Sequence, residues 1–177
     1  IEDDVEKPAG LAARVEQAGE ERIAVETGKA GPDDTRVPVD QRRDGRIADR
    51  RQIECVYIPD TPSQTFCVST QVGCAMGCAF CLTGKMGLVR HLTAGEIAAQ
   101  VRVLARITGL LDSAFNIVLM GMGEPLHNYD ATMKALRMLG TKAGLGMPAR
   151  RITLSTVGVL PALERLASEP FMPNLAV

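Results

Sequence analysis

Three thiols lie close together at Cys74, Cys78 and Cys81, in the run Cys-Ala-Met-Gly-Cys-Ala-Phe-Cys. The spacing is C-x3-C-x2-C, with an aromatic residue just before the last cysteine. Thiolates this close form a soft ligand set, suited to an iron–sulfur cluster or to zinc. A structural zinc site asks for four protein ligands in a closed tetrahedron, and Cys67, Cys55 or His91 would have to supply the fourth. Three local ligands suit a cluster that keeps one iron open. Gly73, Gly77, Gly84 and Gly87 punctuate the loop, letting backbone pass close to a cluster and aim N–H groups at its sulfides.

Two further stretches offer polar groups that such a cluster could use. Glu124 stands in the tight turn Gly121-Met-Gly-Glu-Pro125, where it can accept hydrogen bonds from an ammonium group. Gly123 lets backbone approach a ligand there. Ser155, at the end of an apolar run, can bond a ribose hydroxyl. Alone, each has a simpler reading: an ordinary turn, and a strand-end serine capping local backbone. Beside the cysteines they outline a site for S-adenosylmethionine. Its amino and carboxylate groups would chelate the open iron of a [4Fe–4S] cluster. An electron entering the sulfonium would release a 5′-deoxyadenosyl radical. That chemistry belongs to the cofactor; the protein holds it and excludes water.

The elements that must position these residues follow from pattern. Ile53 to Ile58 is rich in β-formers and stops at Pro59. Thr65 to Ser69 is a second strand, feeding the cysteine loop. Thr93 and Glu96 make a capping box for a helix with Ile97, Val101, Leu104 and Ala105 on one apolar stripe, ending at Gly109. Phe115 to Met120 reads as a buried parallel strand. Asp130 to Leu139 is a helix with Ala131, Ala135, Met138 and Leu139 inward. Arg151 to Ser155 is a strand. Gly158 and Pro161 open a third helix, with Leu160, Leu163 and Leu166 buried. Asn174 to Val177 starts a further strand. This alternation predicts an α/β fold: a partial (β/α) barrel over 51–177, with right-handed crossovers. About four barrel strands are expected before the chain stops, so a longer protein is expected to continue the barrel. All three candidate stretches follow strands, at the rim where such barrels carry their chemistry.

Residues 1–50 mix Gly, Pro, Asp and Arg with little periodicity, and read as an irregular leader or linker. They carry 13 acids and 9 bases, whereas 51–177 carry 8 acids and 11 bases. The basic excess in the body is compatible with RNA. Five cysteines, three of them within eight residues, are a metal-site pattern and not a disulfide framework. Such thiols persist in a reducing compartment, which predicts a cytoplasmic protein. The acidic start lacks an apolar signal region, and no run approaches a membrane span.

The ordered motifs Cys67-Val-Ser-Thr-Gln-Val-Gly-Cys74-Ala-Met-Gly-Cys78-Ala-Phe-Cys81, Gly-Met-Gly-Glu-Pro-Leu-His-Asn and Arg-Ile-Thr-Leu-Ser-Thr-Val-Gly resemble the radical-SAM RNA adenine C2-methyltransferases. The resemblance covers roughly residues 52–177, and it implies that residues 1–50 are a remnant of an N-terminal RNA-binding domain. It implies methylation of an adenosine in large-subunit rRNA and of an adenosine in some tRNAs. It implies that Cys74, Cys78 and Cys81 hold the cluster, and that Gly123, Glu124 and Ser155 bind S-adenosylmethionine. It makes Cys67 one of a pair of cysteines able to form a disulfide, and Glu54 a proton acceptor. From pattern alone, Cys67 would more often be core and Glu54 a solvent-facing strand residue. The family methylates a second cysteine first and draws the transferred carbon from it; that cysteine is expected beyond Val177. Other implied features are a flavodoxin-type electron donor, a monomeric protein and no membrane partner. A sibling C8-methylating type shares the cysteine loop. A zinc or iron–sulfur module without this chemistry is the remaining alternative.

Overall fold

The computed structural model describes residues 13–17, 20–26, 51–59 and 63–177. Strands β1 (Ala13–Gln17) and β2 (Glu20–Glu26) pair antiparallel, and β2 pairs antiparallel with β3 (Gln52–Ile58). The irregular leader expected over 1–50 therefore contains a β-hairpin; the remainder of that stretch lies outside the described residues. The hairpin was hard to read because its apolar residues, such as Ile23 and Val25, are few and interleaved with charge, so the alternation is short.

Strand β4 (Thr65–Cys67) pairs antiparallel with β3, with Val56 opposite Cys67. The chain then forms a separate antiparallel ribbon of β5 (Gln71–Gly73) and β6 (Leu88–His91), which brackets the cysteines and a single helical turn, α1 (Leu82–Lys85). Helix α2 (Ala94–Ile107) leads to β7 (Asn116–Leu119), α3 (Tyr129–Gly140) to β8 (Ile152–Ser155), and α4 (Leu160–Leu166) to β9 (Asn174–Ala176). The sheet order is β1-β2-β3-β4-β7-β8-β9. Four strands, β4, β7, β8 and β9, run parallel, as the alternating pattern predicts.

The expected caps and stripes mostly form. Thr93 and Glu96 make a reciprocal capping box, and Ile97, Val101, Leu104 and Ala105 are buried. Gly109 closes the helix region with φ +70°. In α3 the buried stripe is Thr132, Met133, Ala135, Leu136 and Leu139, whereas Met138 is exposed. In α4 Leu166 is buried, Leu163 packs partly against the core, and Leu160 faces solvent. Both differences are one-position phase errors in reading a 3.6-residue period from few apolar residues.

The core lies between the parallel strands and the helices. Phe66, Ile117, Leu119, Ile152 and Leu154 point from the sheet onto Val101, Leu104, Met133, Leu136 and Leu166. Residues of opposite parity, including Cys67, Val118, Thr153 and Ser155, are only half-buried on the other face. Strand β7 is thus buried on one face and not on both. A second, smaller cluster of Ile53, Val72, Leu92, Ala94, Ile97, Met122 and Ala135 seats the cysteine ribbon on the barrel. Among the described residues no helix is long and apolar enough to cross a membrane.

Candidate radical site at the strand rim

The segment leaving β4 is held by buried polar groups. The Gln100 side chain clasps Ser69 at both ends: the Ser69 N–H donates to its Oε1 at 2.8 Å, and its Nε2 donates to the Ser69 carbonyl at 2.8 Å. The Ser69 hydroxyl donates to the Glu54 carbonyl at 2.6 Å and accepts from the Met122 N–H at 2.8 Å. Asn128 Nδ2 donates to the carbonyls of Thr70 and Leu92, both at 2.8 Å, pinning the ends of the cysteine ribbon together. Burial makes each of these bonds expensive to lose. At the ribbon exit, Arg90 makes a two-pronged contact with Glu96 at 2.8 and 2.9 Å, anchoring it to the start of α2.

Within the ribbon, Gly73 has φ +75°, and a Cβ there would fall 1.9 Å from the Gly87 carbonyl oxygen. The Cys74 N–H donates to that same carbonyl at 3.1 Å. Cys74 is buried; Cys78 and Cys81 are half-buried, with the Cys81 N–H bonded to the Cys78 carbonyl at 3.0 Å. The Met76 N–H points at the Cys74 sulfur at 3.5 Å. Among the described residues no three His, Cys, Asp or Glu side chains converge on a single metal ion. A four-iron cluster takes each thiolate on a different iron, so it asks for spaced thiolates and not for convergence. Among the described residues no two cysteines are joined in a disulfide.

Glu124 lies on the same rim, after β7, and is 3% exposed. Its carboxylate accepts from the Leu126 N–H at 2.8 Å, the Thr156 hydroxyl at 2.7 Å and the Val157 N–H at 3.0 Å. The carboxylate is thus spent on joining the loop after β7 to the loop after β8. Gly123 has φ +103°, and a Cβ there would meet Gln71 at 2.6 Å. Ser155 ends β8 on the half-buried face, and its hydroxyl bonds no other described residue. Glu54 is exposed on β3, on the same sheet face as Val56 and its partner Cys67. Because β3 runs antiparallel to β4, Glu54 lies at the rim and Cys67 one step below it. Cys55 points to the opposite face, into the core; burial, and then the nearby Cys67, push its thiol up to about 12.

Pattern reading passed over Gln71, Gln100 and Asn128, and gave Thr156 no task beyond its place at the strand end. Gln71 and Asn128 stand in the quoted glycine-containing motifs, and an amide side chain there was the available signal. Gln71 is fully buried, with its side chain bonded to the Glu124 N–H and to both His91 and His127. Partial burial, and then the neighbouring His127, hold the His91 imidazole below the usual histidine range.

The radical SAM superfamily profile matches residues 68–176. The chain belongs to the radical SAM superfamily. It is 53% identical over 133 residues to "Dual-specificity RNA methyltransferase RlmN 1" of Myxococcus xanthus, covering 75% of this chain and 37% of that protein. It is 42% identical to "Probable dual-specificity RNA methyltransferase RlmN 2" of Opitutus terrae, covering 97% of this chain and 47% of that one. The crystal structure of a radical SAM methyltransferase from Sphaerobacter thermophilus superposes with a TM-score of 0.76 at 41% identity, covering 95% of this chain and 45% of that chain. The chain thus spans less than half the length of these relatives.

Membership implies a [4Fe–4S] cluster and S-adenosylmethionine, and the residues present fit them. Three thiols share a loop whose glycines admit backbone at close range. One rim carries that loop together with Gly123, Glu124 and Ser155, from three different strand ends. A shallow hollow of about 250 Å³, lined by Leu111, Phe115, Met147 and Arg151, lies at the opposite ends of the strands and takes no part in this site.

Proposed function

We propose that this chain is part of a radical SAM methyltransferase that methylates C2 of an adenosine in 23S rRNA and in tRNA. The observation that carries this reading is the 53% identity to a dual-specificity RNA methyltransferase. The fold alone would not choose among radical SAM reactions. In this reading Cys74, Cys78 and Cys81 hold the cluster, which supplies the electron that makes bound S-adenosylmethionine a source of radical chemistry.

The chain's own residues then have distinct tasks. Gly123 and Glu124 present the loop after β7 to the amino-acid end of S-adenosylmethionine. The saturated Glu124 carboxylate supports a role through the shape of that loop, with main-chain atoms meeting the ligand. The uncommitted Ser155 hydroxyl faces a ribose hydroxyl. Cys67 serves as one of two paired thiols acting on the RNA-bound intermediate. Glu54, exposed on the same face and one step nearer the rim, serves as proton acceptor. Electrons come from a flavodoxin-type donor, and the protein works as a cytoplasmic monomer.

Anaerobic reconstitution followed by electron paramagnetic resonance tests the cofactor assignment. A reduced-cluster signal that shifts on adding S-adenosylmethionine is expected; stoichiometric zinc without iron after native purification overturns it. Nucleoside analysis of 23S rRNA and tRNA treated with the whole protein tests the reaction. It should give 2-methyladenosine, whereas 8-methyladenosine would assign the C8 reaction.

A further inference from the structure

Gln71 sits between the cysteine ribbon and the loop after β7, and every polar atom of its side chain is engaged. Its Oε1 accepts from the Glu124 N–H at 2.9 Å. Its Nε2 donates to His91 Nδ1 at 2.9 Å and, more loosely, to His127 Nδ1 at 3.4 Å. The orientation of this amide is dictated by chemistry. A backbone N–H can only donate, so the oxygen must face Glu124 and the NH2 must face the imidazoles. An NH2 can only donate in turn, so both Nδ1 atoms must be unprotonated acceptors. Each ring then carries its proton on Nε2 and turns it away from Gln71. The rings meet edge to face, 5.2 Å between centroids.

The same side chain shapes the loop. It fills the space where a Cβ at Gly123 would lie, while its own N–H and that of Thr70 both donate to the Met122 carbonyl. The peptide from Gly123 to Glu124 is trans, so its N–H and C=O point in opposite directions. With the N–H fixed on Gln71, the Gly123 carbonyl is turned away from Gln71, and no described residue donates to it.

We propose that Gln71 is a positioning residue that couples the cysteine ribbon to the S-adenosylmethionine loop. It sets the direction of the Gly123–Glu124 peptide, and it locks His91 and His127 as Nε2–H tautomers. The proposal rests on the reading that this loop holds S-adenosylmethionine. A residue that merely packs would need the volume of Gln71 but not its polarity, and two substitutions separate these roles. Gln71→Met keeps most of the volume and loses both polar functions. Gln71→Glu keeps an acceptor for the Glu124 N–H but no longer donates to the imidazoles, which must then present Nδ1–H.

The experiment combines S-adenosylmethionine binding to cluster-loaded protein with long-range 15N–1H correlation spectra of the histidines, taken with the cluster oxidised and spin-paired. Wild type should show both rings as Nε2–H. Gln71→Met should weaken S-adenosylmethionine binding about tenfold, the worth of one buried hydrogen bond, while retaining iron. Gln71→Glu should bind within about threefold of wild type, while its histidine spectra switch to protonated Nδ1. Nδ1–H rings in wild type would overturn the tautomer lock. Wild-type affinity in Gln71→Met, or equal losses in both variants with iron retained, would overturn the orienting role. Wild-type protein that keeps its cluster and Nε2–H rings but binds no S-adenosylmethionine would instead overturn the functional reading beneath it.

Discussion

The Thr156 hydroxyl donates to the Glu124 carboxylate at 2.7 Å, tying the end of β8 to the loop after β7. Two strand ends of the rim thereby share one buried carboxylate, which also accepts two main-chain N–H groups. Removing the carboxylate leaves three buried or half-buried donors without an acceptor. Glu124→Ala should therefore cost about 2–4 kcal/mol of stability. Thr156→Val removes one donor and the acceptor for the Gly158 N–H, and should cost about 1–2 kcal/mol. Urea unfolding monitored by circular dichroism reads both. An unchanged midpoint in Glu124→Ala would show that the carboxylate is not a structural tie.

Serine at Cys74, Cys78 or Cys81 should abolish the visible absorption of the reconstituted cluster, because a hydroxyl is a poor iron ligand. Serine at Cys67 should leave iron content and absorption unchanged. Iron quantification after anaerobic reconstitution makes the comparison. Loss of iron in Cys67→Ser would move that residue into the ligand set.

Gly73 and Gly77 both have positive φ but differ in surroundings. A Cβ at Gly73 collides with the Gly87 carbonyl, whereas at Gly77 it meets nothing within 4 Å. Gly77→Ala should cost only backbone strain, about 1–2 kcal/mol. Gly73→Ala must also pry the ribbon apart, and should lose more stability and load less iron. Thermal unfolding with iron analysis distinguishes them, and equal behaviour would contradict the close approach of Gly73 to Gly87.

Cys55 gives stability a pH dependence. Its thiol is pushed from 9.0 to about 12 in the folded chain, by burial first and by Cys67 second. Between those values the unfolded chain ionises and the folded one does not. The stabilisation is thus complete below pH 9 and declines as pH rises toward 12, by at most about 1.4 kcal/mol per unit. Cys55→Ala should flatten this decline in urea titrations above pH 9. The same burial predicts that Cys55 resists alkylation at pH 8.5 until the protein unfolds.

Spacing made the parallel strands legible, because helix caps and glycine stops such as Thr93, Glu96 and Gly109 act within a few residues of the chain. The cysteine loop and the Gly121–Pro125 turn were legible for the same reason. The β5–β6 ribbon escaped notice because each strand is too short to show alternation, and much of its support comes from Ile53, Met122 and Ala135, far away in sequence. The task of Glu124 also escaped. Its carboxylate also holds Thr156 and Val157, which stand 32 and 33 positions later in the chain. Likewise, Gly123 reads as room for a ligand, yet the side chain filling that room is Gln71, 52 positions earlier. Contacts of this range leave no local period to read.

The Met122 carbonyl receives the N–H groups of both Thr70 and Gln71, at 2.8 and 3.1 Å. Neither amide can meet solvent while the loop after β7 stays seated on the segment leaving β4. Their hydrogen exchange should therefore be slow and concerted, and tied to the opening of two loops that are distant in sequence. Fraying at the tip of the cysteine ribbon would leave both protons in place. Amides this close to a site usually report local breathing; these two would report how often the whole rim comes undone.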